Sequence, residues 1–294
     1  MNILIFSLGE KGSSVVKALF QRTAGHYFGC VIGQDNAVEE DCSSDLTKFC
    51  EINGIKYYSR NESLFNDCEY DLFLAVGWRW IIRELPKEKL IVFHDSLLPK
   101  YRGFSPLVNA LINKEKVIGV TALLGAEDYD TGNIILQDRV DIEYPTEIGA
   151  EIKRISRVYA NLAIELVSKY NDGTINWSGY PQDESKASYS LWLDEEDYRI
   201  NWNDDSKDIE HFISCVGYPY RGAATLLNGE KVRITKGLPR PDVKIENRSP
   251  GKIIFMEFGC PVVVCGTGLI ILKEISDENG KSMLPLKVFR SRFS

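Results

Sequence analysis

Histidine is scarce in this chain, with three in 294 residues, and the seven cysteines form no Cys-x-x-Cys pair. A zinc cluster needs Cys or His ligands at short, repeated spacings, so no metal is expected. An odd, scattered cysteine count fits a reduced cytoplasmic protein in which Cys serves as a small core residue. A surplus of basic residues is also missing. The formal net charge is −7, which disfavours a nucleic-acid partner, because neutralising phosphates supplies most of that affinity. No apolar run approaches the ~20 residues of a membrane-spanning helix, and no membrane partner is expected. Residues 1–6 lack a charged leader and a cleavage site, and read as a first strand. Repeats and low-complexity tracts are lacking too.

What remains is an ordinary globular composition, 44% apolar and 26% charged, long enough for two domains. Apolar runs at 2–7, 27–32, 55–58, 71–77 and 90–93 alternate with segments of helical spacing. That alternation predicts an α/β fold: a Rossmann-like, mostly parallel sheet with helices on both faces and ligands at the carboxyl ends of strands. The turn Leu8–Ser14 contains Gly9 and Gly12 and leads toward a helix through Val15, Val16, Leu19 and Phe20. Such a turn either holds a phosphate or simply reverses the chain. A second helix is expected over 44–52 on Leu46, Phe49 and Ile52. Pro106 starts a short one, strands follow at 117–124 and 133–140, and a long helix spans 146–170. Residues 181–188 are polar and read as a linker. Beyond a helix at 207–216, short strands at 224–227, 232–235, 252–256, 262–265 and 269–275 suggest a small β-barrel-like (OB-like) domain. The expected domains are 1–185 and 186–294.

Residues 91–132 hold the chemistry. A strand delivers His94 into the turn Ser96-Leu97-Leu98-Pro99, a basic segment Lys100-Tyr101-Arg102-Gly103 follows, and an acidic loop ends at Asp130-Thr131-Gly132. A carboxylate beside a His orients the ring and stabilises its protonated form. The pair suits attack of an amine on a carbonyl: His⁺ stabilises the oxygen, and Asp or water takes the amine proton. Neither Ser nor Cys is presented as a nucleophile, so direct transfer is the natural route. On spacing alone, a lone His is more often a hydrogen-bonded structural residue than a catalytic one.

The string His94-x-Ser96-Leu97-Leu98-Pro99-Lys100-Tyr101-Arg102-Gly103-x-x-Pro106, then Gly119-Val120-Thr121, then Asp130-Thr131-Gly132, resembles the signature of 10-formyltetrahydrofolate-dependent formyltransferases. The resemblance covers the whole chain. It implies 10-formyltetrahydrofolate as donor, and His94 and Asp130 as catalytic residues. One departure stands out. The family has Asn two residues before the His, where its amide polarises the formyl oxygen; here that residue is Val92, which cannot donate. Losing such a donor costs ~3 kcal/mol where a site is built around it. Asn109 is the candidate replacement. His94 acting alone, or a non-catalytic binding protein, are the alternatives.

Gln182–Ser190, Asp197–Trp202 and Gly217–Ala223 are most similar to nucleotide-sugar N-formyltransferases, which act on dTDP- or UDP-linked amino-deoxysugars on the route to surface polysaccharide. Methionyl-tRNA formyltransferase is the alternative, disfavoured by acidic runs at 194–197 and 204–205. The resemblance assigns Gly77, Trp78, Arg79, Trp80 and Ile81 to one wall of the folate pocket, and Gly125, Glu127 and Asp128 to the other. Core packing explains the two tryptophans equally well. Lys11, Ser13, Ser96 and Arg102 are substrate-side candidates, with Lys11, Ser13 and Arg102 offered to the diphosphate. Tyr218 and Tyr220 are offered to the base, with interdomain packing as the rival role. Nucleotide-sugar members are often homodimers, though no interface stripe stands out here.

Overall fold

The computed structural model describes residues 1–22, 27–60, 70–82 and 85–294. Backbone contacts divide them into two units. The first comprises 1–36, 40–143 and 150–192; the second comprises 37–39, 144–149 and 193–294. The predicted boundary at 185 therefore falls inside the first unit. Residues 186–192 belong there because Tyr189–Ser190 (β9) pairs in parallel with Arg102–Gly103 (β6).

In the first unit, strands β1 (Asn2–Ser7), β2 (Tyr27–Ile32), β3 (Lys56–Ser59), β4 (Leu72–Val76) and β5 (Leu90–His94) are parallel. They join β7 (Val117–Leu124) and β8 (Ile134–Asp141) in the order β3-β2-β1-β4-β5-β7-β8. β7 runs antiparallel to β5, and β8 antiparallel to β7, so β8 shares the direction of the first five. The strands read as near-continuous apolar runs because the sheet is buried: Ile3, Leu4, Leu74, Val76, Ile91 and Val120 are at most 1% exposed. Strand order reverses at β1, which has β2 on one side and β4 on the other. Ligands of open α/β sheets bind at such a reversal, outside the carboxyl ends of the strands.

Helix α1 runs Gly9–Arg22, so the expected glycine turn is mostly helix, and only Leu8 separates it from β1. Gly12 is there for close packing, since a Cβ would lie 2.3 Å from Ser7 Oγ. Helix α2 (Ser43–Ile52) buries Leu46 and Cys50; Ile52, expected inside, is 83% exposed. Helix α3 (Pro106–Ile112) begins at its proline. Helix α4 (Ile148–Asn171) buries Ile148, Ile152, Ile155, Tyr159, Leu162 and Leu166, the predicted three-and-four stripe.

In the second unit, helix α5 (Ser206–Cys215) is capped by Asp205, which accepts from Lys207 N. An antiparallel sheet follows: β10 (Ala223–Leu227), β11 (Glu230–Arg240), β12 (Ile253–Glu257), β13 (Cys260–Val264) and β14 (Leu269–Asp277), ordered β10-β11-β14-β13-β12. The last residues close it. Ser294 exchanges backbone hydrogen bonds with Leu226 on one edge strand, and Phe293 N donates to Gly251 O beside the other. The expected barrel is therefore completed by residues 291–294, which carry no strand signal of their own. Among the described residues no group of Cys, His, Asp and Glu could hold a metal, and no helix is long and apolar enough to cross a membrane.

Candidate active site

His94 is the last residue of β5 and 7% exposed. Its Nδ1 lies 3.4 Å from Asp130 Oδ2, and its Nε2 lies 2.7 Å from Tyr101 O. Tyr101 O only accepts, so Nε2 carries a proton toward it, while Nδ1 faces the Asp130 carboxylate at ion-pair distance. Asp130 Oδ2 also accepts from Gly103 N at 2.8 Å. Among the described residues nothing hydrogen-bonds its Oδ1, leaving that oxygen to take a proton.

The predicted meeting of His94 and Asp130 occurs, but not between neighbouring strand ends. β7 runs antiparallel to β5, so its carboxyl end lies at the amino end of β5, where Gly125 N donates to Leu90 O at 2.8 Å. The loop must fold back along the sheet to bring Asp130 to His94. Gly132 permits the return, because a Cβ there would lie 1.8 Å from Leu124 O.

The turn after His94 is fixed from beneath. Thr121, fully buried, donates to Ser96 O at 2.6 Å and accepts from Leu98 N and Gln137 Nε2. Gly119 leaves room for Leu97, whose Cδ2 would be 2.4 Å from a Cβ. These contacts explain why Gly and Thr stand in Gly119-Val120-Thr121. The next segment is tightly coiled: Tyr101, Gly103 and Ser105 have φ of 58°, 99° and 47°. A non-glycine residue with positive φ is strained and needs surrounding contacts to persist. Here the Tyr101 hydroxyl donates to Glu115 and accepts from Asn113.

Several candidates have other duties. Arg102 is 1% exposed and spends all five N–H donors: Nε and one terminal nitrogen on Gln182, both terminal nitrogens on Glu184, and one on the Tyr189 hydroxyl. Glu184 holds the guanidinium's proton more tightly than usual, and Arg102 in turn depresses the Glu184 carboxyl. No donor is left for a diphosphate, which corrects the substrate assignment. Lys11 is likewise ion-paired, with Asp95, so it is not a free cation. Ser13 is buried, 4% exposed. Ser96 is buried and donates to Lys100 O at 2.6 Å, closing its own turn rather than meeting substrate. Asn109 donates its amide to Ser105 O, one turn back in α3.

Gly77 follows β4 at the strand-order reversal, and Val76 pairs with Phe93, so residues 77–82 begin beside His94. Gly77 has φ 62°, and a Cβ would lie 2.7 Å from Leu8 O, so backbone packing alone requires it. Trp78 packs edge-on against Phe6 and Trp80 at centroid distances of 5.3 and 4.8 Å. Arg60 covers Trp80 at 4.0 Å. Arg79 is ion-paired with Asp35, while Ile81 is 58% exposed. On the other proposed wall, Gly125 sits at the far end of β5; Asp128 is exposed, and Glu127 is exposed and paired with Lys87 at 3.0 Å. Tyr218, half exposed, and Tyr220 belong to the second unit.

Two contributors carry no motif signal. Asp95, directly after His94, is clasped by Lys11 and the Tyr159 hydroxyl. Burial alone would raise its carboxyl, but Lys11 and Tyr159 outweigh that and hold it below the usual carboxylate range. Burial and Asp95 together push the Tyr159 hydroxyl up. The other is Gln182, in the segment read as a linker. A charged residue closing an apolar strand is a readable signal for Asp95; Gln182 opens the 182–190 segment that carries the family resemblance, but residue type alone gives it no role there.

Residues 55–165 match the family described as "Formyl transferase", and 193–292 match "Formyl transferase, C-terminal domain". The methionyl-tRNA formyltransferase of Thermodesulfovibrio yellowstonii is 36% identical over 212 residues, covering 71% of this chain and 65% of that protein; the chain thus spans about two thirds of that relative. The methionyl-tRNA formyltransferase of Carboxydothermus hydrogenoformans is 31% identical over 286 residues, covering 91% of this chain and 90% of that protein. The crystal structure of WlaRD, a sugar 3N-formyl transferase solved in the presence of dTDP and 5-N-formyl-THF, has a TM-score of 0.67 at 19% identity, over 95% of this chain and 98% of that one. At that identity the likeness is one of fold. With both parts matched in order, and a relative aligned over nine tenths of its length, this chain belongs to the formyl transferase family.

Proposed function

We propose that this protein transfers a formyl group from 10-formyltetrahydrofolate directly to the amine of a dTDP- or UDP-linked amino-deoxysugar. The observation that carries the transfer is the His94–Asp130 pair, fixed by Gly103 N at the end of β5. Residues 77–82 suit the donor: they offer backbone groups and the apolar Trp78, Trp80 and Ile81 at the sheet's strand-order reversal, in a segment that starts beside the end of β5. The amine nitrogen forms a bond to the formyl carbon while the bond from that carbon to folate N10 breaks. His94 donates to the oxygen that gains charge, sharing or withdrawing the Nε2 proton now directed at Tyr101 O. Asp130 Oδ1 takes the amine proton and returns it to N10.

The acceptor rests on charge. Residues 193–294 carry fifteen acidic and fifteen basic side chains, no excess for a polyanion such as tRNA. Methionyl-tRNA is the second reading, favoured by the relatives at 31–36% identity. The test is incubation with 10-formyltetrahydrofolate and either a panel of dTDP- and UDP-amino-deoxysugars or methionyl-tRNA. Tetrahydrofolate release is followed by absorbance and the N-formyl product by mass. Turnover with an amino sugar is expected; turnover with methionyl-tRNA alone overturns the acceptor assignment. Folate binding without turnover on any amine overturns the enzyme reading.

A further inference from the structure

We infer that Gln182 is a positioning residue for Asp130, held in turn by buried Arg102. The loop bearing Asp130 leaves β7 beside Leu90, four strand residues from His94, or roughly 13 Å. Something must draw it across that span. Gln182 uses both halves of its amide to do so. Nε2 donates to Asp130 O at 2.6 Å and to Gly132 O at 2.8 Å. Oε1 accepts from Arg102 Nε at 3.1 Å and from a terminal guanidinium nitrogen at 2.8 Å. The amide orientation follows from its partners: a guanidinium only donates and carbonyls only accept, so the flipped amide would lose all four bonds. Arg102 cannot drift, being 1% exposed and tied to Glu184 as well. Asp130 itself sits at φ 54°, a conformation an aspartate adopts as a single residue only at some cost. Its main chain is therefore clamped at its own carbonyl by Gln182 and its side chain by Gly103.

The rate part of this inference rests on the formyl-transfer reading; the structural part does not. The test variant is Gln182→Glu, which keeps an acceptor for Arg102 but presents carboxylate oxygens to two carbonyls. Gln182→Asn, one methylene too short to span Arg102 and the loop, replaces it should Gln182→Glu fail to fold. Two measurements are made. Hydrogen exchange of the Gly103 amide, which Asp130 Oδ2 caps, is followed by NMR without substrate and is expected to quicken at least tenfold. Turnover is expected to fall about ten- to a hundredfold, the cost of an ångström-scale misplacement, with KM for donor and acceptor within about threefold of wild type. In an Asp130→Asn background the same change at 182 is expected to cost nothing further. Wild-type Gly103 protection in the variant overturns the inference, and so does an undiminished loss in the Asp130→Asn background. Absence of turnover in the wild-type protein overturns the proposed function instead, and leaves the exchange measurement to judge Gln182.

Discussion

Replacing Gly132 with alanine tests whether loop closure, and not only the His94 and Asp130 side chains, sets activity. The added Cβ would lie 1.8 Å from Leu124 O and 2.9 Å from Leu124 C. Non-bonded carbon and oxygen do not approach within about 3 Å, so the loop must open by more than ~1 Å where it rejoins the sheet. The obstacle is backbone, held by Leu124 N donating to Asn133 O at 3.0 Å, and cannot swing aside as a side chain would. Overpacking of this kind costs about 1–3 kcal/mol, or a few degrees of Tm for a chain this long. Asp130 is two residues away, and a displacement of ~1 Å costs on the order of a hundredfold in rate. The expected result is a folded protein, by circular dichroism and a melt lowered by several degrees, with kcat down fifty- to several-hundredfold in the folate absorbance assay. A variant with kcat within about twofold of wild type would refute the idea that this return places Asp130.

His94→Asn and Asp130→Asn are each expected to lower kcat by at least a hundredfold, measured in the same assay; near-normal turnover in either removes it from the chemistry. Asn109→Ala is expected to keep kcat within about threefold, because the Asn109 amide is directed at Ser105 O. A hundredfold loss would instead make Asn109 the donor that Val92 cannot be. Asp95→Asn probes the buried clasp through acid stability. The Asp95 carboxyl titrates below its ordinary value when folded, so its contribution is complete above the unfolded pKa of about 3.9. It fades as pH falls through the folded value. The melting-temperature gap between wild type and Asp95→Asn should therefore be widest above pH ~4 and close below it; a gap that widens on acidification contradicts the assignment.

The parallel sheet was legible because buried strands write themselves as short apolar runs, and Leu72–Val76 and Leu90–His94 do so with little ambiguity. Helix α1 shows the limit. Gly9 and Gly12 look like turn glycines, yet Gly12 serves an interior contact with Ser7 that only the fold defines. The barrel closure by 291–294 is similar, since residues that pair with two edges need no apolar alternation. In the site, His94 and Asp130 could be found from residue type and order. The ion pairs could not, because Lys11 meets Asp95 across 84 residues and Arg102 meets Glu184 across 82. An Arg or Lys beside a motif looks free to bind phosphate until its distant carboxylate is known.

Val92 sharpens what the strand that carries His94 lacks. Two residues from His94 on one strand, it faces the same side of the sheet, and it packs against the cluster of Leu4, Phe6, Phe73, Ala75 and Leu90. Its nearest strand neighbours in register are Ala75 and Leu123, neither of which offers a side-chain hydrogen-bond partner. Val92→Asn would restore the residue type that the family resemblance leads one to expect, but would set its amide against this apolar cluster from a half-buried position. At a half-buried position the cost is at most the ~1–3 kcal/mol of full burial without partners. The expected outcome is a protein destabilised by up to that amount in denaturant, with kcat unchanged or lower. In that case His94 polarises the formyl oxygen without an amide at position 92, and the apolar cluster beneath it is part of the site's design. A tenfold rise in kcat would show the opposite: that an amide at 92 reaches the reacting oxygen, and that valine leaves the site short of one donor.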